Sequence, residues 1–265
     1  MQLLLLLLLI LSLFLFSPSF TQSLPVPPRG EIHPSRKWVN IARATRKLEN
    51  VSCSSWQLAT ETNNLRRWKS IPATCESYFG HYFLGHRYRD DSALVTKEAS
   101  KYARRRQLSG GGKDIWIFDI DETSLSNLPF FSKLDFGLKP YSEAQSDKWV
   151  AAGAAPALPE SLKLYKELLT LGIKVVFLTG RTEEFREITA RNLKKVGYHS
   201  WEKLILRKGN ELEITALEYK SAERLKLVKQ GYRIVGNIGD QWSDILGSPE
   251  GDRTFKLPNP LYYIS

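Results

Sequence analysis

The stretch D114-I-W-I-F-D-I-D-E-T123 decides the fold. Its apolar run, Ile115, Trp116, Ile117 and Phe118, reads as a buried β-strand. Three acids stand directly at its end: Asp119, Asp121 and Glu122. A strand that anchors itself in a core and then presents carboxylates needs a reason to do so, and the neighbouring segments supply one.

Downstream, strand and helix patterns alternate. Strands are predicted over 115–119, 173–178, 204–206 and 232–238, and helices over 159–171, 182–196 and 220–230. Leu162, Tyr165, Leu168 and Leu169 form one stripe, Thr182 caps the next helix, and Gly172, Gly197 and Gly231 stop the three helices. This order predicts an α/β fold, a parallel sheet flanked by helices. Upstream, 109–112 (SGGG) is a break, and a helical pattern precedes it, with Leu94, Val95, Ala99, Tyr102 and Ala103 on one face. The SGGGK at 109–113 mimics a phosphate loop, but it precedes the strand and lacks a following Ser or Thr, so it reads as a joint.

The chain thus divides into 1–22, an extended Pro-rich lead-in at 23–44, a helical segment at 45–110 and an α/β core at 111–265. The apolar run at 3–16 is short for a bilayer and suits the core of a signal peptide, so no stable membrane insertion is expected. Secretion would place Cys53 and Cys75, the only cysteines, in an oxidising compartment and join them. Asn50-Val51-Ser52 is a glycosylation sequon of the same route. Hydrophobic residues at 42% and charged residues at 25% are ordinary for a globular protein, so the net charge of +10 is the compositional anomaly. The cations are spread along the chain, and the one run, Arg104-Arg105-Arg106, ends a helical pattern where positive charge offsets the dipole. Nucleic acid is therefore not the expected partner, and anionic polysaccharide or phosphorylated substrates suit the charge better.

In open α/β sheets, ligands bind beyond the carboxyl ends of the strands. There the first strand carries Asp119 and Asp121, the second Thr179-Gly180-Arg181, and the last Gly239-Asp240 with Asp244 one turn on. Carboxylates sharing one pocket repel, and a divalent cation relieves the repulsion. The candidate ligands are all oxygen, and no two histidines show a zinc-type spacing, so the donor set favours Mg²⁺. Each residue alone has an ordinary reading. Asp240 could cap a helix, Thr179-Gly180 could be a plain turn, and Lys220 and Arg181 could be surface residues at helix starts.

Taken together, FDIDETSLSN, APALPESLKLYKELL, FLTGR, GYRIVGNIGDQWSDILG and FKLPNPLYYI resemble the plant acid phosphatases and vegetative storage proteins of the haloacid dehalogenase (HAD) superfamily. The helical part, VSCSSWQLATETNNLRRWKSIPATC, shares in the resemblance. It implies a Rossmann-like HAD fold with a minimal cap. It implies a secreted acid phosphatase acting on small-molecule phosphate monoesters, in cell wall or vacuole, with a homodimer left open. Asp119 would be the nucleophile and Asp121 the proton carrier. Mg²⁺ would be held by the Asp119 carboxylate, the Asp121 backbone carbonyl and the Asp240 carboxylate. Thr179 would bind the phosphoryl group, Lys220 would neutralise it, Asp244 would support Lys220 or a metal-bound water, and Arg181 would be a substrate contact or a surface residue. Ser124 stands where the family usually has leucine, which bears on local packing or specificity. The short segment 125–157, where the superfamily often inserts a cap, implies an open site with broad substrate acceptance. The family also contains storage members with little activity, some without the nucleophile, so storage is the alternative.

Overall fold

The computed structural model describes residues 52–139 and 141–264. The expected signal peptide (1–22), the lead-in (23–44) and the Asn50 sequon lie outside them. The helical segment comprises α1 (Cys53–Glu61), α2 (Glu76–Leu84) and α3 (Arg87–Arg104). Then follow β1 (Asp114–Phe118), α4 (Leu128–Phe131), α5 (Glu143–Ala152), α6 (Pro159–Thr170), β2 (Lys174–Thr182), α7 (Arg186–Lys195) and β3 (Lys203–Arg207). The chain continues through α8 (Ala216–Lys229), β4 (Arg233–Gly239), α9 (Trp242–Ile245) and β5 (Thr254–Lys256).

The five strands form one parallel sheet in the order β3-β2-β1-β4-β5. β1 is central, so all five of its residues are buried. Alternation then sorts them. Ile115 and Ile117 pack with Tyr219 and Leu227 of α8 on one face. Trp116 and Phe118 enter the larger core on the other face, shared with Phe79, Tyr88 and Ala103 of the helical segment. The ring of Trp116 passes so close to β4 that a Cβ at Gly236 would meet it at 2.5 Å, and only glycine fits there. Asp114 starts β1 buried, with its carboxylate paired to Arg233 Nε at 2.6 Å and to the Ser109 amide at 2.6 Å.

The structure departs from three sequence expectations. β2 runs on to Thr182, which pairs with Arg207, so helix α7 starts later than predicted, after a 3₁₀ turn at Glu183–Phe185. Continued pairing with β3 satisfies the backbone that a helix at Thr182 would otherwise have to satisfy. Helix α8 opens four residues before Lys220, at Ala216, because Thr215 and Glu218 form a reciprocal capping box. In α3 the buried face is Tyr88, Ser92, Thr96, Ala99 and Ala103, whereas Leu94 is 63% exposed. Small residues on that face let α3 lie along α6, and Arg89–Glu160 and Arg104–Glu167 ion pairs join the two helices.

Among the described residues no helix is long and apolar enough to cross a membrane. Cys53 and Cys75 are joined, with Cα atoms 5.5 Å apart. The bridge pins the start of α1 beside Trp56, whose ring packs against Trp68 and Phe79 at 4.9 and 5.5 Å. In the chain-entropy view a loop of this size contributes about 3 kcal/mol. Thiol titration of the denatured, unreduced protein should therefore find no free thiol, and reduction should lower the melting temperature. Two titratable thiols would refute the bridge.

Candidate active site

β1 ends where its last ladder bond forms, from the Asp119 amide to the Ile238 carbonyl. The chain then turns back sharply. The Ile120 carbonyl accepts from the amides of Ser124 and Leu125 at 2.9 and 2.8 Å, and Glu122 takes a left-handed conformation at φ 55°. A non-glycine residue there costs about 1–3 kcal/mol. Fixed partners offset the cost, because the Glu122 carboxylate accepts from the Asn127 amide, from Asn127 Nδ2 and from the Tyr262 hydroxyl. Ser124 is fully buried and donates to the Asp119 carbonyl at 2.7 Å. The hydroxyl thus braces the backbone of the strand end. This turn brings Asp119 and Asp121 to one cavity instead of leaving them spaced along a straight strand.

Asp119, Asp240 and Asp244 are buried, and one carboxylate oxygen from each lies within 4.8 Å of the others. Buried Lys220 reaches from α8 to Asp119 Oδ1 at 2.5 Å and to Asp244 Oδ1. Burial alone would lower the Lys220 pKa, but the two aspartates outweigh it and hold the ammonium charged. Burial pushes the Asp119 carboxyl well up, the charge of Asp244 adds to it, and Lys220 only partly opposes. Asp240 is pushed up to about 6, by burial first and Asp244 next. Its oxygens are nonetheless tied down, Oδ1 by the Thr123 hydroxyl and Oδ2 by Asn259 Nδ2 and Gln241 Nε2. Asp244 sits so close to Gly239 that a Cβ there would lie 2.2 Å from it, which explains the glycine before Asp240. Three buried carboxylates facing one another with a single ammonium leave negative charge in excess, and an all-oxygen donor set of this kind fits a hard divalent cation.

Asp121 is held differently. Arg181 Nη2 donates to its Oδ1 at 2.7 Å, Arg181 Nε to its Oδ2 at 3.0 Å, and Asn127 Nδ2 to Oδ1 at 2.7 Å. Burial pushes this carboxyl up, but the charge and hydrogen bonds of Arg181, with Asn127, outweigh it and leave it below the ordinary range. The surface readings of Lys220 and Arg181 are therefore corrected, since both side chains are buried in ion pairs. The Asp121 carboxylate stands outside the group of three, and Asp244 stands within it. Thr179 is fully buried, accepts from the Arg181 amide at 3.1 Å, and does not line the cavity.

The cavity holds about 730 Å³ and is lined by Asp119, Asp121, Arg181, Lys220, Asp240 and Asp244. Its walls come from three distant parts of the chain: Trp68 of the helical segment, Tyr141 and Trp149 of the 125–157 segment, and Tyr262 and Tyr263 of the tail. The wall from the 125–157 segment is thus supplemented from both ends of the described chain. Sequence reasoning missed Thr123, Asn127, Gln241 and Asn259 as hydrogen-bond partners of the acids. All four stand in the quoted motifs, yet spacing alone assigns them no partner.

Burial, then the charges of Asp121 and Asp240, push the Glu122 carboxyl up to about 8. An unfolded glutamate titrates near 4.3. Between about 4.3 and about 8 the folded chain therefore binds more protons than the unfolded one, so stability falls as pH rises through that window. The melting temperature of the metal-free protein should decline from pH 5 to 8, and Glu122→Gln should flatten the decline, with Asp119 and Asp240 supplying the remaining slope. An unchanged slope in the variant would contradict the assignment.

Residues 40–265 match the HAD superfamily, subfamily IIIB (Acid phosphatase). The chain is 50% identical over 216 residues to Acid phosphatase 1 of Solanum lycopersicum, covering 82% of this chain and 85% of that one. It is 50% identical over 219 residues to a stem 31 kDa glycoprotein of Glycine max, covering 82% and 85%. It is 43% identical over 215 residues to vegetative storage protein 1 of Arabidopsis thaliana, covering 80% and 79%. The fold resembles the class C acid phosphatase from Bacillus anthracis, with a TM-score of 0.57 and 21% identity over 80% of this chain and 87% of that one. The parallel sheet, the acids at its carboxyl edge and these likenesses lead to one conclusion: the chain belongs to the subfamily IIIB acid phosphatases of the HAD superfamily.

Proposed function

We propose that the chain is a secreted, Mg²⁺-dependent acid phosphatase that hydrolyses phosphate monoesters through a phosphorylated Asp119. The observation that carries this reading is the separation of two acids on one cavity. Asp119 is paired with Lys220, while Asp121, two residues on, is paired with Arg181 and Asn127. In the metal-free site burial and Asp244 push the Asp119 carboxyl up while Arg181 holds the Asp121 carboxyl down, the reverse of what a nucleophile and a proton carrier need. The roles therefore rest on this pairing geometry and require a bound cation at Asp119 and the substrate's phosphate beside Asp121.

Asp119 attacks phosphorus as the bond to the ester oxygen breaks, and Asp121 gives that oxygen a proton. Water then attacks the phosphoryl-aspartate, Asp121 takes a proton from it, and phosphate leaves. The resting Asp121 is held ionised, and an incoming phosphate dianion opposes that hold, because like charge beside a carboxyl favours its protonated form. Lys220 offsets charge on the phosphoryl oxygens, while Thr179, buried behind the cavity lining, accepts from the Arg181 amide and so braces the strand end that carries Arg181. Arg181 adds positive charge at the same end of the cavity, and Asp244 orients Lys220. Bound Mg²⁺, held by the Asp119 and Asp240 carboxylates and the Asp121 backbone carbonyl, would neutralise the clustered acids and favour an ionised nucleophile. The apolar leader, the sequon and the Cys53–Cys75 bridge support a secretory route to cell wall or vacuole. Storage is the second reading, and it rests on the 43% identity to a vegetative storage protein. Accumulation to a large share of tissue protein, with little turnover, would favour it.

Chelation should abolish turnover of phosphate esters and Mg²⁺ should restore it. Full activity in protein shown metal-free by elemental analysis, or restoration by zinc alone, would count against the metal assignment. Asp119→Asn should form no phosphoenzyme with any ester. Asp121→Asn should release a burst of phenol from an aryl phosphate and then stall as phosphoenzyme, while its first step with an alkyl phosphate should slow by about 10²–10⁴-fold. Rapid quench with mass spectrometry of the Asp119 peptide reads both. Phosphate on another residue would overturn the role of Asp119.

A further inference from the structure

Asn127 sits immediately before α4, where asparagine commonly caps a helix, yet its side chain makes no capping bond. It is buried and turned to the acids instead. Nδ2 donates to Asp121 Oδ1 at 2.7 Å and to Glu122 Oε2 at 3.1 Å, which uses both of its hydrogens. Oδ1 accepts from Trp149 Nε1 at 2.7 Å. An indole nitrogen can only donate, so this bond marks the oxygen end of the amide and excludes the flipped orientation. A flip would set the amide oxygen against two carboxylates and leave amide hydrogens facing the indole N–H. Trp149 is itself on α5, in the cavity wall, with its ring stacked on Phe130 at 6.3 Å.

We propose that Asn127, oriented by Trp149, is the positioning residue that decides which oxygen of Asp121 handles the proton. The proposal rests on Asp121 being the proton carrier. A carboxylate oxygen offers about two acceptor sites. Oδ1 has both filled, by Arg181 Nη2 and Asn127 Nδ2, while among the described residues Oδ2 accepts only from Arg181 Nε. The remaining site on Oδ2 carries the proton. In the first step the phosphorus–ester bond breaks, its electron pair stays on the ester oxygen, that oxygen takes the proton from Oδ2, and the Asp119 carboxylate forms the new bond to phosphorus. Without Asn127 the bidentate Arg181 still holds the carboxylate plane, but Oδ1 regains a free acceptor site, so the proton is shared between the two oxygens and loses its fixed direction. Trp149 and Asn127 form two hydrogen bonds in series, so the wall helix α5 is tied to the acid.

The test compares first-step rate constants for an alkyl phosphate and for p-nitrophenyl phosphate, by rapid quench, on the mature protein with Mg²⁺. An aryl leaving group hardly needs the proton and an alkyl one does, so the alkyl-to-aryl ratio reports proton delivery. Asn127→Leu should lower that ratio about 10-fold and Trp149→Phe about 3-fold, as fractions of the ordinary acid–base contribution of about 10²–10⁴. A purely structural role would slow both esters alike. Should Asn127→Leu fail to fold by circular dichroism, Trp149→Phe decides, since it keeps the amide and removes only the bond that orients it. Asp121→Asn is the reference. If it collapses the ratio and neither of the other variants lowers it, the proton-carrier reading stands and the positioning role is overturned. If Asp121→Asn leaves the ratio unchanged, both fall together.

Discussion

The ion pair between Lys220 and Asp119 is the interaction on which the rest of this structure depends. Both side chains are buried, and each would be strongly disfavoured alone. One ammonium cannot neutralise Asp119, Asp240 and Asp244 together, and the upward push on Asp119 and Asp240 records the excess. Hydrogen bonds from elsewhere make the remaining acids tolerable. Thr123, Gln241 and Asn259 serve Asp240, Arg181 and Asn127 serve Asp121, and Asn127 and Tyr262 serve Glu122. The donors come from the turn after β1, from β2, from the segment after β4 and from the tail, so the site ties the fold together as much as the fold positions the site.

The tail shows this most directly. Asn259 holds Asp240 with its side chain, and its own amide donates to Glu61 at 2.8 Å. Lys256 donates to the other oxygen of Glu61 at 2.9 Å. Glu61 ends α1, so the helical segment, the tail and the acid cluster are linked by consecutive charge-assisted bonds. The shared core makes the same point in apolar terms, since Trp116 of the central strand packs edge-on to Tyr102 of α3 and stacks on Phe255 of β5. A helical segment that contributes Trp68 to the cavity wall and Glu61 to the tail is part of the catalytic architecture.

The amino-acid pattern determined the alternation of strand and helix, because an apolar run bounded by turn residues has few places to go except a buried strand. It also determined the grouping of Asp119, Asp121, Asp240 and Asp244, because strands of a parallel sheet all end on one edge. The joining of Cys53 to Cys75 was legible for the simplest reason, that no other cysteine exists. Local periodicity overreached at Leu94 and at the start of α7, where packing on α6 and pairing with β3 outweigh local preference.

Only the tertiary structure decided how each acid is held. That Arg181 grips Asp121, that Asn127 faces the acids instead of capping α4, and that Asn259 reaches Asp240 across the chain are facts of side-chain direction between residues 6 to 60 positions apart. Sequence spacing assigns residues to an edge of the sheet, but a hydrogen bond needs donor and acceptor within about 3 Å and in line. That condition is met only after the turn at Glu122, the wall helix and the tail have closed around the end of β1.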